Sequence, residues 1–349
     1  MNNSNTELKN ILGNDPDELV GVVSELGEKK FRAKQLFRWL SKGVCDFDEM
    51  SNLSKTFREK LKEQYCIDIP RVIYDQQSRT DGTRKCLFEF RDGSRVESVF
   101  MKYSYGNSIC ISSQVGCRMG CTFCASTRKG LDRSLTAGEM LAQVLAMRNL
   151  TGEDINHVVM MGIGEPFDNY ENLKRFLHIL HARNGRNLSY RNITVSTSGI
   201  IPVIKQFAED VPQVNLAISL HRLTDEGRSA LMPVNRAYPV DRLLEAAGEY
   251  AEKTGRRVTF EYTLIKGEND TPRDMELMKK KLRGMLCHVN LIPLNRVEET
   301  GLHGSSRKRA EEIAEWLGDN GIAATVRREM GADIDGACGQ LRRKVKRDQ

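Results

Sequence analysis

The sequence predicts an α/β protein whose parallel sheet is flanked by helices. Beyond about residue 106, short apolar segments alternate with longer amphipathic segments whose apolar residues recur at helical spacing. Six or so strand–helix units of this kind are typical of a parallel sheet with its helices outside, either an open sheet or a partial barrel. The residues before this region follow other periods, which indicates additional structure on the N-terminal side.

Residues 1–70 are predicted to form a helical domain. Segments 31–43 and 53–65 place apolar residues at helical spacing among basic ones. From Arg71 the period changes to two, and residues 71–105 are predicted to form a small β extension. Asp-Gly pairs, which favour tight hairpin turns, separate the alternating segments 71–78, 83–90 and 94–101.

Residues 106–330 are predicted to carry the strand–helix units. The predicted strands are 108–114, 157–162, 192–197, 213–220, 257–265, 288–294 and 322–329. The predicted helices between them are 135–150, 169–184, 200–210, 241–255, 271–285 and 305–321. Residues 331–349 begin with a segment too rich in glycine for a helix or strand, and they are predicted to form a C-terminal tail.

Composition narrows the class of protein. Hydrophobic residues make up 40% of the 349 and charged residues 29%, so the chain can bury a core and is not disordered. The net charge of +6 does not by itself identify a nucleic-acid-binding protein. The sequence contains no signal peptide and no apolar stretch of about 18 residues, so we expect a cytoplasmic protein without membrane contact. Thiols stay reduced in that compartment, and the nine cysteines are therefore predicted to be metal ligands, catalytic groups or core residues.

Polar or glycine-rich residues follow the predicted strands, at the edge of the sheet where parallel α/β proteins bind ligands. The candidates are Gly164 and Glu165 after the second strand, Ser196 in the third, Ser219, Leu220 and His221 at the fourth, and Asn295 at the sixth. For His221 alone a structural role is the better interpretation, and the alternative for Glu165 is a carboxylate at the start of a helix.

Cys117, Cys121 and Cys124 follow the first of these strands at C-x3-C-x2-C spacing. Thiolates bind iron–sulfur clusters, usually four cysteines to one [4Fe–4S] cluster, so three cysteines would leave one iron open to an external ligand. A structural zinc site is the alternative, but it prefers four ligands in two pairs. Cys110, the candidate fourth ligand, lies within the predicted strand.

Cys338 lies in the glycine-rich segment near the C-terminus. A cysteine between Ala337 and Gly339 is poorly placed for packing, so one interpretation is a thiol presented on a tail. The other interpretation is a partly buried loop cysteine.

The cysteine loop after the first strand resembles that of the radical S-adenosylmethionine (SAM) superfamily. The resemblance implies a partial (βα)6 barrel and one [4Fe–4S] cluster held by the three cysteines, with SAM on its open iron. It also implies that Gly164 and Glu165 hold the SAM amino group, since a carboxylate suits an ammonium. The remaining contacts to the SAM carboxylate, ribose and adenine would come from Ser196, Ser219, Leu220, His221 and Asn295.

A narrower set of segments resembles the RlmN/Cfr family of RNA methyltransferases. The matching segments run colinearly at 95–99, 110–117, 161–166, 196–199, 219–221, 290–295 and 333–341. The N-terminal helical domain is similar, more loosely, to the RNA-binding accessory domain of that family. Pro166, Ala125 with Ser126, and Ser198 favour the RlmN branch, which methylates adenine C2, and the alternative is Cfr-like methylation at C8.

The resemblance implies a reaction that uses two SAM molecules per turnover. Adenine C2 is too electron-poor to attack a sulfonium methyl group, so Cys338 first takes a methyl group from SAM by displacement. A second SAM supplies a radical that activates this methyl group for addition to C2, and Cys110 then attacks the Cys338 sulfur to release the RNA. Glu97 is the candidate base for the C2 proton, and its alternative is an exposed strand glutamate.

The same resemblance implies the partners. The substrates would be an adenosine in the peptidyl-transferase loop of 23S rRNA and adenosine 37 of tRNA. An electron donor such as flavodoxin and a thiol reductant are also implied, and we expect a monomer. Basic residues cluster at 29–38 and at 341–349, where they could contact phosphates or form a solvated surface.

Two other classes of protein stay open on the sequence alone. One is a zinc-stabilised nucleic-acid-binding module without catalysis, and the other is a radical enzyme that acts on a small molecule. The cysteines outside the motifs are predicted to be packing residues, namely Cys45, Cys66, Cys86 and Cys287.

Overall fold

A computed structural model describes residues 8–294 and 303–334 of the chain. The N-terminal part comprises β1 (Lys9–Asn10), α1 (Pro16–Glu25), α2 (Phe31–Ser41), α3 (Lys55–Gln64) and β2 (Tyr65–Cys66). The extension that follows comprises β3 (Arg71–Gln77), β4 (Arg84–Glu89) and β5 (Arg95–Tyr103).

The strand–helix units follow the extension directly. They comprise β6 (Gly106–Cys110), β7 (Gln114–Gly116), β8 (Leu131–Ser134), α4 (Ala137–Thr151), β9 (His157–Met160), α5 (Tyr170–His181), β10 (Ile193–Thr197), α6 (Ile201–Asp210), β11 (Asn215–Ser219), α7 (Asp225–Leu231), α8 (Val240–Thr254), β12 (Val258–Leu264), α9 (Pro272–Leu282), β13 (Cys287–Pro293), α10 (Arg307–Asp319) and β14 (Ala324–Val326). Each helix except α1 and α7 coincides with a predicted helical segment to within a few residues, and the predicted α/β class is confirmed.

One ten-stranded mixed sheet organises the molecule, in the order β14-β13-β12-β11-β10-β9-β6-β5-β4-β3. β6 pairs parallel with β9, and the strands from β9 to β14 are parallel to one another. On its other side β6 pairs antiparallel with β5, and β5, β4 and β3 also pair antiparallel. The β extension is therefore continuous with the sheet of the strand–helix units. Its strands lie beside β6, the strand that precedes the cysteine loop.

The first strand of the units ends earlier than the sequence predicts. The predicted strand 108–114 stops at Cys110, because the chain then bends around the end of β9. The N–H groups of Ser113 and Gln114 both donate to the carbonyl of Ile163, at 2.9 and 3.1 Å. From Gln114 the chain pairs antiparallel with β8 as a separate two-stranded ribbon, which frames the cysteine loop.

Helix α4 joins the N-terminal part to the sheet. Thr136 caps it in a capping box with Glu139, and Gly152 ends it in the left-handed conformation. Residues 137–147 are all buried, because the helix contacts the sheet on one side and the N-terminal residues on the other. A Cβ on Gly138 would lie 2.8 Å from the backbone nitrogen of Gly13, so this contact depends on glycine. The two parts share one hydrophobic core.

Candidate active site

The cysteine loop between β7 and β8 is shaped by glycine and by one threonine. Gly116 has φ +83°, and a Cβ there would collide with the carbonyl oxygen of Gly130. The N–H of Cys117 donates to that same carbonyl at 2.9 Å. The hydroxyl of Thr127 accepts from the N–H of Gly120 at 2.8 Å and donates to the carbonyl of Cys117 at 3.1 Å. These bonds close the loop that carries the three cysteines.

The three thiols influence one another electrostatically. Cys117 is buried, and Cys121 and Cys124 are half-buried. Burial raises the pKa of Cys117 to about 11 and that of Cys121 to about 12, and the charges of the neighbouring thiols act in the same direction. Within residues 8–294 and 303–334, no three His, Cys, Asp or Glu side chains converge as they would on a single metal ion.

Glu165 is held where the chain leaves β9. Its backbone N–H donates to the side-chain oxygen of Gln114 at 2.9 Å. Its carboxylate accepts the N–H of Ser198 at 2.6 Å and that of Phe167 at 3.0 Å. Burial raises the pKa of Glu165, which is 3% exposed, while these N–H donors act against that rise. The carboxylate thus joins the ends of two neighbouring strands, and it also begins a 3-10 helix, which was the alternative interpretation.

A buried arginine that the sequence analysis missed fixes the next two strand ends. Arg228 of α7 is fully buried, and its guanidinium donates to the carbonyls of Ser198 at 2.6 Å, Ser219 at 2.9 Å and Leu220 at 3.2 Å. Burial lowers the pKa of Arg228 to about 10. In the sequence this residue lies between the predicted strand 213–220 and the predicted helix 241–255, so no local signal indicates its role.

His221 has a structural environment. It adopts a left-handed backbone conformation with φ +56°, and its Nδ1 accepts the N–H of Thr263 at 3.0 Å. Its carbonyl accepts the side-chain amide of Asn269 at 2.8 Å. Burial lowers the pKa of His221 to about 3, so the ring is neutral. The ring also packs edge-on against Phe123, 4.9 Å between centroids, and so connects the fourth strand to the cysteine loop.

Glu97 and Cys110 lie on one face of the sheet. The register aligns Lys85 of β4, Val99 of β5 and Cys110 of β6 across three strands, and Glu97 is two residues from Val99. The ammonium of Lys85 lies 2.9 Å from the carboxylate of Glu97, and the two side chains are 0% and 4% exposed. Glu97 is therefore a buried, ion-paired glutamate, and the exposed alternative is wrong.

The thiol of Cys110 is influenced by the same charges. Burial raises its pKa, the cations of Arg327 and Lys85 lower it, and the carboxylate of Glu97 raises it. Cys110 thus lies within the electrostatic reach of the Lys85–Glu97 pair, a pairing that the sequence analysis did not foresee.

The other predicted site residues fall into two groups. Ser196 and Ser219 are half-buried in β10 and at the end of β11, and Leu220 is buried directly after it. Asn295 and Cys338 lie outside the described residues, as do the basic residues 341–349. The eight described cysteines are all free. Cys86 and Cys287 are buried and Cys66 is half-buried, but Cys45 is exposed, so the prediction of a packing role is wrong for Cys45.

The fold and the cysteine loop define a class of protein. Residues 111–278 match the radical SAM superfamily. The crystal structure of a radical SAM methyltransferase from Sphaerobacter thermophilus superposes with a TM-score of 0.91 at 43% identity, covering 95% of this chain and 98% of that one. The radical SAM fold predicted from the sequence is confirmed.

Relatives narrow this class. Residues 9–67 match the ribosomal RNA large subunit methyltransferase N-terminal domain. A probable dual-specificity RNA methyltransferase RlmN from Clostridium perfringens (strain SM101) is 51% identical over 337 residues, 96% of this chain and 97% of the relative. A protein of the same name from Clostridium novyi is 50% identical over 342 residues, 98% of this chain and 100% of the relative. The chain belongs to the RlmN family of radical SAM RNA methyltransferases.

Membership of this family implies SAM and a [4Fe–4S] cluster, and the residues of the site fit both. A cluster binds each thiolate through a different iron, so its cysteines lie further apart than the ligands of a single ion. Cys117, Cys121 and Cys124 supply three such donors on one closed loop. Beside Gly164, the buried hydroxyl of Ser113 has no hydrogen-bond partner among the described residues, so it is available to a polar ligand.

The described helices include none that is both long enough and apolar enough to cross a bilayer.

Proposed function

We propose that this protein methylates C2 of adenine in RNA, namely an adenosine in the peptidyl-transferase loop of 23S rRNA and adenosine 37 of tRNA. The observation that carries the proposal is the alignment of Lys85, Glu97 and Cys110 on one face of the sheet. A buried carboxylate and a half-buried cysteine on one face suit a reaction that removes a proton from carbon and then resolves a covalent intermediate.

The cofactor site is proposed at the strand ends. Cys117, Cys121 and Cys124 would hold the cluster, which when bound supplies the electron that cleaves the SAM sulfonium and generates a carbon radical. Glu165 would bind the SAM amino group, because its buried carboxylate accepts only neutral N–H donors in the contacts described above. Ser196, Ser219, Leu220, His221 and Asn295 would contact the rest of SAM, His221 through its backbone position.

Two SAM molecules are consumed in each proposed turnover. The thiolate of Cys338 displaces a methyl group from the first, which forms a C–S bond on the cysteine and releases S-adenosylhomocysteine. The second SAM would supply the radical that takes a hydrogen atom from that methyl group, and it would leave as 5′-deoxyadenosine and methionine. The methyl carbon would then bond to C2 of the adenine in a covalent RNA–protein adduct.

The adduct is resolved by this chain's own residues. Glu97 accepts the C2 proton, and the ammonium of Lys85 lies 2.9 Å from that carboxylate. Cys110 attacks the sulfur of Cys338, which breaks the sulfur–carbon bond to the RNA and forms a disulfide. The freed carbon takes up a proton to become the methyl group, and the single electron left from the radical step would pass back to the oxidised cluster. A thiol reductant then restores both cysteines, and an electron donor such as flavodoxin keeps the cluster reduced.

RNA is proposed to bind partly through α2. Phe31, at the start of α2, is 55% exposed, and the guanidinium of Arg32 lies 5.0 Å from the centre of its ring. Lys42 lies 4.8 Å from the ring of Trp39. Trp39 is half-buried, so Phe31 offers the exposed ring, and an exposed aromatic ring among cations suits bases and phosphates together. We further propose that the protein acts as a cytoplasmic monomer.

Mass spectrometry of the modified nucleoside tests the proposal. The reconstituted protein is incubated anaerobically with RNA, SAM and an electron donor, and the RNA is then digested. We expect 2-methyladenosine, whereas 8-methyladenosine would identify the Cfr-like reaction instead. Unmodified RNA from a protein that holds the cluster and binds SAM would overturn the proposal.

Cysteine variants test the mechanism. Cys338→Ala should abolish methylation, and Cys110→Ala should accumulate a covalent RNA–protein adduct that denaturing gels detect. Cys45→Ala is the matched control, because this exposed thiol lies in the N-terminal part and should not affect either product. Sustained turnover without an adduct in Cys110→Ala would contradict the resolving role.

A further inference from the structure

The hairpin turn between β3 and β4 binds the segment that leads to Cys338. The N–H of Gly331 donates to the carboxylate of Asp81 at 2.8 Å. In the opposite direction, the N–H of Arg79 donates to the carboxylate of Asp333 at 2.8 Å. We name these two hydrogen bonds, together with Ser78, the tail anchor. They join residues about 250 positions apart, and all of the residues involved are described by the structure.

The turn is built to present these groups. The N–H of Ser78 donates to the carbonyl of Thr83 at 2.7 Å, which closes the turn. The hydroxyl of Ser78 accepts the N–H of Asp81 at 3.2 Å, and one oxygen of Asp81 accepts the N–H of Thr83 at 2.9 Å. The second oxygen of Asp81 is thereby directed at Gly331, so the carboxylate uses both oxygens, one within the turn and one on the tail.

The electrostatics agree with this geometry. Burial alone would raise the pKa of Asp81, but the N–H donors of Gly331 and Thr83 outweigh it and lower that pKa to about 2. Hydrogen bonds from Ser78 and from the N–H of Arg79 lower the pKa of Asp333. Both carboxylates are therefore ionised acceptors at neutral pH, and charge-assisted hydrogen bonds of this kind are stronger than neutral ones.

The tail anchor lies near the thiol that resolves the adduct. A Cβ on Gly331 would lie 3.1 Å from Cγ2 of Thr83. Thr83 is two residues before Lys85, which the register aligns with Val99 and Cys110 across β4, β5 and β6. Cys338 follows Ile334 by four residues, which span at most about 14 Å when fully extended. A disulfide needs the two Cα atoms within about 7 Å of each other. The segment that leads from the tail anchor to Cys338 therefore starts on the side of the molecule where Cys110 lies.

We propose that the tail anchor positions Cys338 for its reactions with the substrate and with Cys110. Asp81 is the main positioning residue and Asp333 its reciprocal partner. Without the anchor, the last described backbone bond that joins this segment to another part of the molecule is the N–H of Arg327 to the carbonyl of Leu291, at 2.8 Å. The stretch between the last such attachment and Cys338 would then lengthen from five residues, counted from Asp333, to eleven, counted from Arg327. Since the effective concentration of a tethered group falls as about the −3/2 power of tether length, we expect about a threefold loss.

This inference rests on the proposed function of Cys338, and the test separates the two. Asp81→Asn is the central variant, because an amide can still accept the N–H of Thr83 but cannot at the same time accept that of Gly331. Asp92→Asn is the matched control. Asp92 lies in the other Asp-Gly turn of the extension, accepts the N–H of Ser94 at 2.9 Å in the same way, and is joined to Arg133 rather than to the tail.

Two measurements are made on the full chain with its cluster. Hydrogen exchange followed by mass spectrometry should show faster exchange at 331–334 in Asp81→Asn and unchanged exchange in Asp92→Asn. In a Cys110→Ala background, the single-turnover rate of adduct formation should fall about threefold for Asp81→Asn, with the Kd for RNA unchanged. If Asp81→Asn does not fold, Asp333→Asn replaces it, because that change leaves the turn itself intact.

Other results of these measurements would overturn either the tail anchor or the proposed function, and the two cases are distinguishable. Unchanged exchange at 331–334 overturns the tail anchor. Faster exchange with an unchanged adduct rate overturns its positioning role. Absence of any adduct while Asp81 is intact, or methylation by Cys338→Ala, overturns the proposed function instead.

Discussion

Replacing Gly164 with alanine tests the geometry of the proposed SAM site. Gly164 has φ +107°, a conformation that residues with a Cβ rarely adopt. A Cβ there would lie 2.6 Å from the Cβ of Gln114 and 2.8 Å from its backbone nitrogen. Gln114 cannot move aside, because its side chain donates to Asp168 at 3.0 Å and accepts from Glu165 at 2.9 Å. The segment that carries Glu165 must therefore shift.

The expected cost follows from two contributions. The backbone conformation costs alanine about 1–2 kcal/mol, and overpacking against fixed atoms costs about 1–3 kcal/mol more. The Gly164→Ala protein avoids this cost by adopting a conformation in which Glu165 is displaced. The conformation that can bind SAM therefore becomes a minor population. A cost of about 2 kcal/mol, the lower limit, weakens SAM binding about 30-fold.

Equilibrium binding of SAM to the anaerobically reconstituted protein, by calorimetry or dialysis, measures this effect. The iron content and the visible spectrum should equal those of the unaltered protein, since the cysteine loop is not touched. Gly255→Ala is the control, because Gly255 also has positive φ, +64°, yet a Cβ there meets nothing within 4 Å. A Gly164→Ala protein whose SAM Kd stays within about threefold of the original would refute the reasoning.

Two further predictions concern buried ionisable groups. Lys85→Met leaves the carboxylate of Glu97 buried without its ion-pair partner, so equilibrium urea unfolding should show a free energy of unfolding lower by about 3–5 kcal/mol. Adding Glu97→Gln should partly restore this stability. A Lys85→Met protein as stable as the original would show that the pair contributes little. Burial lowers the pKa of His221 to about 3, whereas the unfolded chain protonates near the ordinary value of about 6.5. The folded state should therefore lose stability as the pH falls below about 6.5, by about 1.4 kcal/mol at about pH 5.5. His221→Gln should remove this contribution, and an unchanged pH dependence of its unfolding free energy would contradict the assignment.

The sequence predicts the features of this fold that depend on local periodicity. Alternating apolar segments locate the strands of the sheet, and the cysteine spacing identifies the loop between β7 and β8. The sequence predicts that the strand continues to residue 114, because the apolar and polar residues at 111–113 follow an order that a strand could also have. Only tertiary hydrogen bonds to Ile163 reveal that this segment bends away from the sheet.

The groups that surround the site are harder to predict. Nothing in the local sequence distinguishes Lys85 from an exposed strand lysine, and its pairing with Glu97 depends on the register between β4 and β5. Arg228 belongs to a short helix that sequence periodicity does not detect, and its partners are backbone carbonyls, which carry no sequence signal. Such contacts join segments distant in the sequence, so a single sequence cannot specify them.

The close packing of Gly13 against Gly138 has a consequence for substrate choice. Because the N-terminal helices share one core with α4, the surface of α2 cannot swing independently of the strand ends. On the proposed function, an RNA bound at α2 must present its adenine at a set distance and direction from the phosphates that α2 contacts. Two RNAs of unrelated sequence would satisfy this condition equally well if their folded shapes expose an adenine in the same way. Selection by three-dimensional shape would thus allow one rigid enzyme to accept both a ribosomal loop and a transfer RNA.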